Sequence, residues 1–348
     1  MPEDIEGLLK QVDELIDKKE YNQAITLCDK IIEIDSNNAE GYWNRGFVQY
    51  VLGRFEEAIF DYDKAIELTS NKAEAYKMKG IANKELKKYI KDIIAFLYYL
   101  RGSVKAELGR YEEVVIDYNK AIELNPNDAD AYNGRGDAKC QLEKYKDAIS
   151  DYNIALKINP TKAIRHFINL GFCKCKIRKH KEAILDFNKA IELNPDSALA
   201  YYNRGLAKYN LKNYEEAIAD CTKAIELNPD YANTYYCLGM VKYHLGKYEE
   251  AIADCTKAIE LNPDYDFAYN YRACAKCKLE KYEEAISDLN KNIKLNPDCT
   301  QAYITRGTAK YHLGRYEEAA IDFSKAIELK PNYIRAYFLL GLTKLKLH

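Results

Sequence analysis

Tryptophan occurs once in this 348-residue chain, methionine three times and histidine five times. The histidines are scattered, so no His-Glu-x-x-His helix offers a metal site with a general base. A glycine-rich loop ending in Lys-Ser/Thr and a Gly-x-Ser-x-Gly elbow are also missing, which removes two further signatures of catalysis. Neither sign of charge is in excess, with 52 basic residues against 54 acidic ones. A polyanion partner needs a basic stripe, so no nucleic acid is expected. No apolar run approaches the roughly 20 residues that span a bilayer, so no membrane is expected either. The opening, MPEDIEGLLK, is acidic where a secretory signal is basic and then apolar. Sequons with a permissive middle residue are absent, and the expected compartment is the cytoplasm.

What the chain has is repetition. The string YEEAIADCTKAIELNPDY occupies 214–231 and, unchanged, 248–265. An active site needs different groups converging on one point, so a surface written twice argues for packing or for a long repeated face. Pro126, Pro160, Pro195, Pro229, Pro263, Pro297 and Pro331 are spaced 34, 35, 34, 34, 34 and 34 residues apart. Gly136, Gly171, Gly205, Gly239, Gly307 and Gly341 keep the same step, with Ala273 in the missing place. Numbering the unit so that this glycine is position 8 puts an aromatic residue at position 4 throughout. Positions 4, 8 and 12 form one stripe; positions 20, 21, 24, 27 and 28 form another at three- and four-residue spacing, so each unit reads as two helices. In the LNPD ending, Asn suits a left-handed exit, Pro cannot extend the helix, and Asp can cap the next one.

Aromatic, Gly, aromatic, Ala, aromatic, Ala and Pro at these spacings resemble the tetratricopeptide repeat, over about residues 5–348. The resemblance implies an all-α fold: an α-solenoid of antiparallel helix pairs forming a right-handed superhelix, in which identical neighbours bury one another's apolar faces. The step from Gly80 to Gly102 is 22 residues, which reads as one truncated unit. Its apolar residues Ile90, Ile93, Ile94, Leu97, Leu100 and Val104 run on at helical spacing, predicting one continuous helix over 89–108. That helix is expected to throw the stack out of register and leave apolar surface bare near Phe96. Two arms follow: 1–94, with two full repeats and the truncated unit, and 95–348, with seven full repeats and a terminal helix.

Ten cysteines could suggest disulfides, but Cys28, Cys221 and Cys255 share position 24 with Tyr62, Tyr118, Tyr152, Phe187, Leu289 and Phe323. A slot open to Cys, Leu and aromatics is a packing position, and reduced thiols are expected. The CAKC pair, Cys274 and Cys277, lacks the four ligands of a structural zinc site. The recurrent Glu-Glu at positions 18 and 19 marks solvated helix starts. No catalytic residue, metal or cofactor is expected. Position 7, usually apolar in the resembled family, is Arg45, Arg101, Arg135, Arg204, Arg272 and Arg306, and each such unit has an Asp at position 23. Near the hairpin seam those arginines would need carboxylates, which predicts an Arg–Asp ladder, broken at Leu170 and Leu238.

In the resembled family the first helix of each pair lines the concave face through positions 2, 5, 9 and 12. Carried over, that gives a candidate peptide-binding groove of Trp43, Phe47 and Tyr50; Tyr202, Leu206 and Tyr209; Tyr236, Met240 and Tyr243; Asn270 with Cys274 and Cys277; and Ile304, Thr308 and Tyr311. Heat-shock co-chaperones of the family grip a C-terminal carboxylate with Lys at 5, Asn at 9 and Arg at 6. Here Lys77 is followed by Ile81 at position 9, and the arginines sit at 7, so no chaperone carboxylate clamp is expected. The function implied is a non-catalytic scaffold binding a protein or peptide segment. An RNA-binding helical repeat and a thiol- or metal-responsive module are the alternatives. The final stretch, IRAYFLLGLTKLKLH, keeps Phe338, Leu339, Leu342, Leu345 and Leu347, some of them expected to stay exposed with no second helix following. Either the natural protein continues, or the C-terminal helix serves self-association.

Overall fold

The computed structural model describes residues 4–78 and 84–347, and every regular element among them is helical. Two compact units divide the chain, Met1–Ile177 and Arg178–His348. The first holds α1 (Ile5–Asp17), α2 (Tyr21–Ile34), α3 (Ala39–Val51), α4 (Phe55–Met78), α5 (Lys84–Glu107), α6 (Tyr111–Leu124), α7 (Ala129–Gln141), α8 (Tyr145–Ile158), a single 3-10 turn at Pro160–Lys162, and α9 (Ala163–Lys176). The second holds α10 (His180–Leu193), α11 (Ala198–Asn210), α12 (Tyr214–Leu227), α13 (Ala232–His244), α14 (Tyr248–Leu261), α15 (Asp266–Lys278), α16 (Tyr282–Leu295), α17 (Thr300–His312), α18 (Tyr316–Leu329) and α19 (Ile334–Leu347). Within each unit every helix packs on its neighbours in sequence, as adjacent helix pairs stacked in a row. In the second unit the first helices α11, α13, α15, α17 and α19 also adjoin one another in that order.

The 34-residue pattern is a packing code. The position-24 side chains, whether Cys28, Tyr62, Cys221, Leu289 or Phe323, are all fully buried, and all ten cysteines are free thiols. Position 8 must be small because that side chain lies against it. A Cβ added at Gly136 would sit 2.8 Å from the Tyr152 ring, and one at Gly307 would sit 2.7 Å from Phe323. The turn inside each pair needs a left-handed residue, supplied by Gly53, Gly109, Gly246 and Gly314 at φ 71–79°. Lys19, Glu143, Lys212 and Glu280 adopt it at φ 57–64° without that freedom.

The Asn-Pro ending works differently from the expectation. Asn125, Asn194 and Asn262 have φ of −128°, −144° and −138°, so none is left-handed. Their side-chain oxygens instead accept the N–H two residues on, from Asn127, Asp196 and Asp264, closing an Asx turn.

The irregular stretch takes the form of two long helices. α4 and α5 each have 24 residues where the others have 13 or 14. As the spacing predicts, α5 runs unbroken through 89–107, so position 94, the expected boundary between arms, lies inside a helix and inside the first compact unit. The expected loss of register is not seen. Gly102 meets Tyr118 as Gly46 meets Tyr62, and Arg101 bonds both Asp117 and Asp63, as Arg45 bonds both Asp61 and Asp29. α4 and α5 are lengthened, and the seam at Arg101 is ordinary. Phe96 is half-exposed, set edge-on to Trp43 at 6.1 Å and stacked on Tyr99 at 6.4 Å. Gly80 and Ile81 lie outside the described residues.

Candidate functional site

The seam between helices fixes which faces stay free. Arg204 donates through Nε and Nη2 to both Asp220 oxygens at 2.9 and 2.5 Å, a two-pronged pairing repeated by Arg45–Asp61, Arg135–Asp151, Arg272–Asp288 and Arg306–Asp322. The predicted ladder is present, and it is larger than the sequence suggested. The remaining guanidinium nitrogen reaches position 25 of the preceding pair: Asp29 at 2.6 Å, Asn119 at 2.6 Å, Asn188 at 2.8 Å, Thr256 at 3.1 Å and Asn290 at 2.7 Å. Each arginine also lies over the position-4 ring, 5.0 Å from Tyr98 and 5.2 Å from Tyr201. Position 11 adds a lysine on the same carboxylate, as in Lys208–Asp220 at 2.9 Å and Lys276–Asp288 at 2.9 Å. One guanidinium thus clips three helices together. Where Leu238 replaces it, Asp254 keeps Lys242 at 2.8 Å, and burial holds its carboxyl above the usual value. Burial does the same at Asp61 against the pull of Arg45.

With positions 7 and 11 committed to the seam, positions 5, 9 and 12 fall on the other side of the first helices. In the second unit that side is aromatic. Tyr236 on α13 and Tyr243 two turns later both contact Tyr271 on α15, at 5.6 and 5.8 Å. Tyr209 on α11 packs with Tyr271 around the same core cluster and lies 5.5 Å from His244. Tyr202 sits edge-on to Tyr231 at 5.2 Å, and Tyr236 also meets Tyr265 at 5.1 Å and Phe267 at 6.2 Å. Burial raises the phenols of Tyr202, Tyr209 and Tyr236 and takes that of Tyr243 to about 12, so all four are neutral, each keeping its O–H.

The candidate residues divide. Tyr202, Leu206, Tyr209 and Tyr236 are half-buried around one core cluster, and Tyr243 is half-buried beside Tyr271. Met240 and Ile304 are buried in the core and offer a partner almost no surface. Asn270 is half-exposed with its Oδ1 buried; Tyr311 packs 5.3 Å from Tyr316. Thr308 donates its hydroxyl to the Ile304 carbonyl. Burial raises the thiols of Cys274 and Cys277, the second to about 12, and among the described residues no group of three or more His, Cys, Asp or Glu side chains could hold a metal. In the first unit Trp43, Phe47 and Tyr50 are half-exposed on α3, with Tyr50 6.0 Å from Phe55. Tyr271 was missed because position 6 is outside the groove set, although it joins three of the predicted tyrosines. The position-13 histidines were missed too. His244 stacks on Tyr214 and His312 on Tyr282, the second at 5.0 Å and 5°. Their signal was a histidine two units apart, each facing a position-17 tyrosine of the preceding pair.

A row of short helix pairs clipped by a repeated side-chain pattern defines a helical repeat protein. Tetratricopeptide repeat models match residues 39–72, 129–162, 198–231, 232–265 and 255–287, and TPR repeat models match 102–142, 179–212 and 307–347. The chain belongs to the tetratricopeptide repeat family. It is 36% identical over 141 residues to serine/threonine-protein phosphatase 5 of Rattus norvegicus, covering 36% of this chain and only 22% of that protein's length. Among solved structures, a tetratricopeptide repeat protein from Parabacteroides merdae aligns with TM-score 0.58 and 22% identity over 72% of this chain and 98% of that one. YrrB, described as a TPR protein with an unusual peptide-binding site, aligns with TM-score 0.43 and 27% identity over 56% of this chain and 96% of its own.

Proposed function

We propose that the protein is a non-catalytic interaction scaffold that takes a peptide or protein segment along the first-helix face of its second unit. The observation that carries this is the tyrosine patch of Tyr209, Tyr236, Tyr243 and Tyr271. Its rings pack on one another, so little rotamer entropy remains to be lost on binding, yet each stays half-exposed. The neutral phenols suit the peptide backbone, offering donors and acceptors beside apolar ring faces. Helix pairs stacked in a row make up the described residues, and that regular architecture supports the scaffold reading. Self-association through α19 is the second part of the reading, since Ile334 is 82% exposed, Phe338 64% and Leu345 76%.

Tyr209→Ser with Tyr243→Ser tests the first part. Proteins retained by the immobilised wild-type chain should fall at least tenfold, on the order of a hot-spot pair worth a few kcal/mol, with helical content unchanged. Undiminished retention by the folded variant would reject this face as the site.

A further inference from the structure

We propose that Cys140 and Cys173 are a peroxide-reactive dithiol site that closes to a disulfide joining α7 to α9. The two free thiols stand with their sulfurs 2.9 Å apart, on the first helices of successive pairs within one compact unit. A disulfide bond is about 2.05 Å long, so closure asks for less than about 1 Å of approach. The pairing was hidden in the sequence, where Cys140 shares position 12 with Cys175 and not with Cys173. The extra residue between Pro160 and Gly171 accompanies a 3-10 turn at Pro160–Lys162, and it is Cys173 that meets Cys140 across the seam.

The two thiols are unlike in the way a two-step oxidation requires. Cys140 is half-exposed and Cys173 is fully buried, so an oxidant reaches the first and not the second. The hydrogen bond between the two sulfurs holds Cys140 below the ordinary thiol value, and Lys176 acts in the same direction. That bond and burial push Cys173 upward. The Cys140 thiolate attacks one oxygen of hydrogen peroxide. The O–O bond breaks, hydroxide leaves and takes a proton to become water, and a sulfenic acid remains. The Cys173 sulfur then attacks the sulfenic sulfur; the S–O bond breaks, and the hydroxyl departs as water with the Cys173 proton. Two thiols and one peroxide give one disulfide and two waters. A second close pair, Cys221 and Cys237 at 3.3 Å, has both side chains buried and no such entry point. Since Cys140 occupies the position taken by Tyr209 and Tyr243 in other pairs, the bond would fasten neighbouring first helices at the face that the repeats leave free.

The test uses the full chain, reduced, treated with a small excess of hydrogen peroxide, then denatured in an alkylating agent and mapped by mass spectrometry. The expected result is the loss of two of the ten thiols, one linked peptide pair containing Cys140 and Cys173, and its reversal by dithiothreitol. Cys175→Ser should keep the link. Cys173→Ser should stop at a Cys140 sulfenic acid that dimedone traps. A wild-type chain in which Cys140 and Cys173 stay reduced under this treatment, or in which Cys140 links to Cys175, overturns the proposal.

Discussion

Replacing Leu238 with arginine fills the gap in the seam, and its effect follows from groups already in place. Asp254 lies across from position 238, Tyr235 at position 4 and Thr222 at position 25 of the preceding pair, the same set that surrounds Arg272. Two hydrogen bonds to a charged carboxylate contribute about 1.5–3 kcal/mol each, net of desolvation. Losing the buried leucine costs about 2 kcal/mol, and ordering the longer side chain costs roughly another 2. The expected net gain is about 1 kcal/mol at pH 7. The sign with pH is specific. In the parent chain burial raises the Asp254 carboxyl above its unfolded value, so ionised Asp254 weakens the fold at neutral pH, and that penalty is relieved as pH falls through the raised value. In Leu238→Arg the carboxylate gains a two-pronged guanidinium beside Lys242. The variant should therefore be the more stable chain at pH 7, and its advantage should shrink toward pH 3 as protonation of Asp254 removes the pairing. Urea unfolding followed by circular dichroism at the two pH values measures this through the midpoint. A variant destabilised equally at pH 3 and pH 7 would refute the reasoning.

Gly307→Ala would push a methyl group to 2.7 Å from Phe323 and should lower stability by about 1–3 kcal/mol, seen as an earlier urea midpoint; Gly341→Ala, with nothing within 4 Å, should be nearly neutral. Glu143→Gly relieves a left-handed residue at φ 57° and should raise stability by about 0.5–1 kcal/mol; a loss of stability would show the turn unstrained. Arg101→Leu removes the clip on Asp63 and Asp117 and should cost about 3 kcal/mol, reduced by the remaining Lys105–Asp117 pair at 3.0 Å. Phe338→Lys with Leu345→Lys should abolish concentration-dependent association in sedimentation velocity, and a parent chain that stays monomeric at high concentration contradicts self-association through α19.

The helix pairs were legible because their signals are local and repeated: small residues at position 8, aromatic or cysteine at 24, a punctuating proline. The Arg–Asp pairing was legible for the same reason, since two charged positions kept step. What escaped depends on geometry between pairs. Tyr271 belongs to the patch through the close approach of α13 and α15, and no single unit records that approach. Met240 carries a groove position in the pattern, yet lies in the core, since a flexible thioether fills space that a stiff ring leaves exposed. The 22-residue step between Gly80 and Gly102 read as a truncation because spacing counts residues and not helix ends. Lengthening two antiparallel helices together leaves their seam unchanged, which is why Arg101 still finds Asp63.

Photo-crosslinking from single sites tests the central claim most directly. A benzophenone side chain at position 206, half-exposed on α11 beside Tyr202 and Tyr209, should join covalently to a captured partner. The same group at position 321, where Ile321 is 68% exposed on the second helix of its pair, should join to none. Crosslinks that form from position 321 and not from position 206 would contradict binding along the first-helix face.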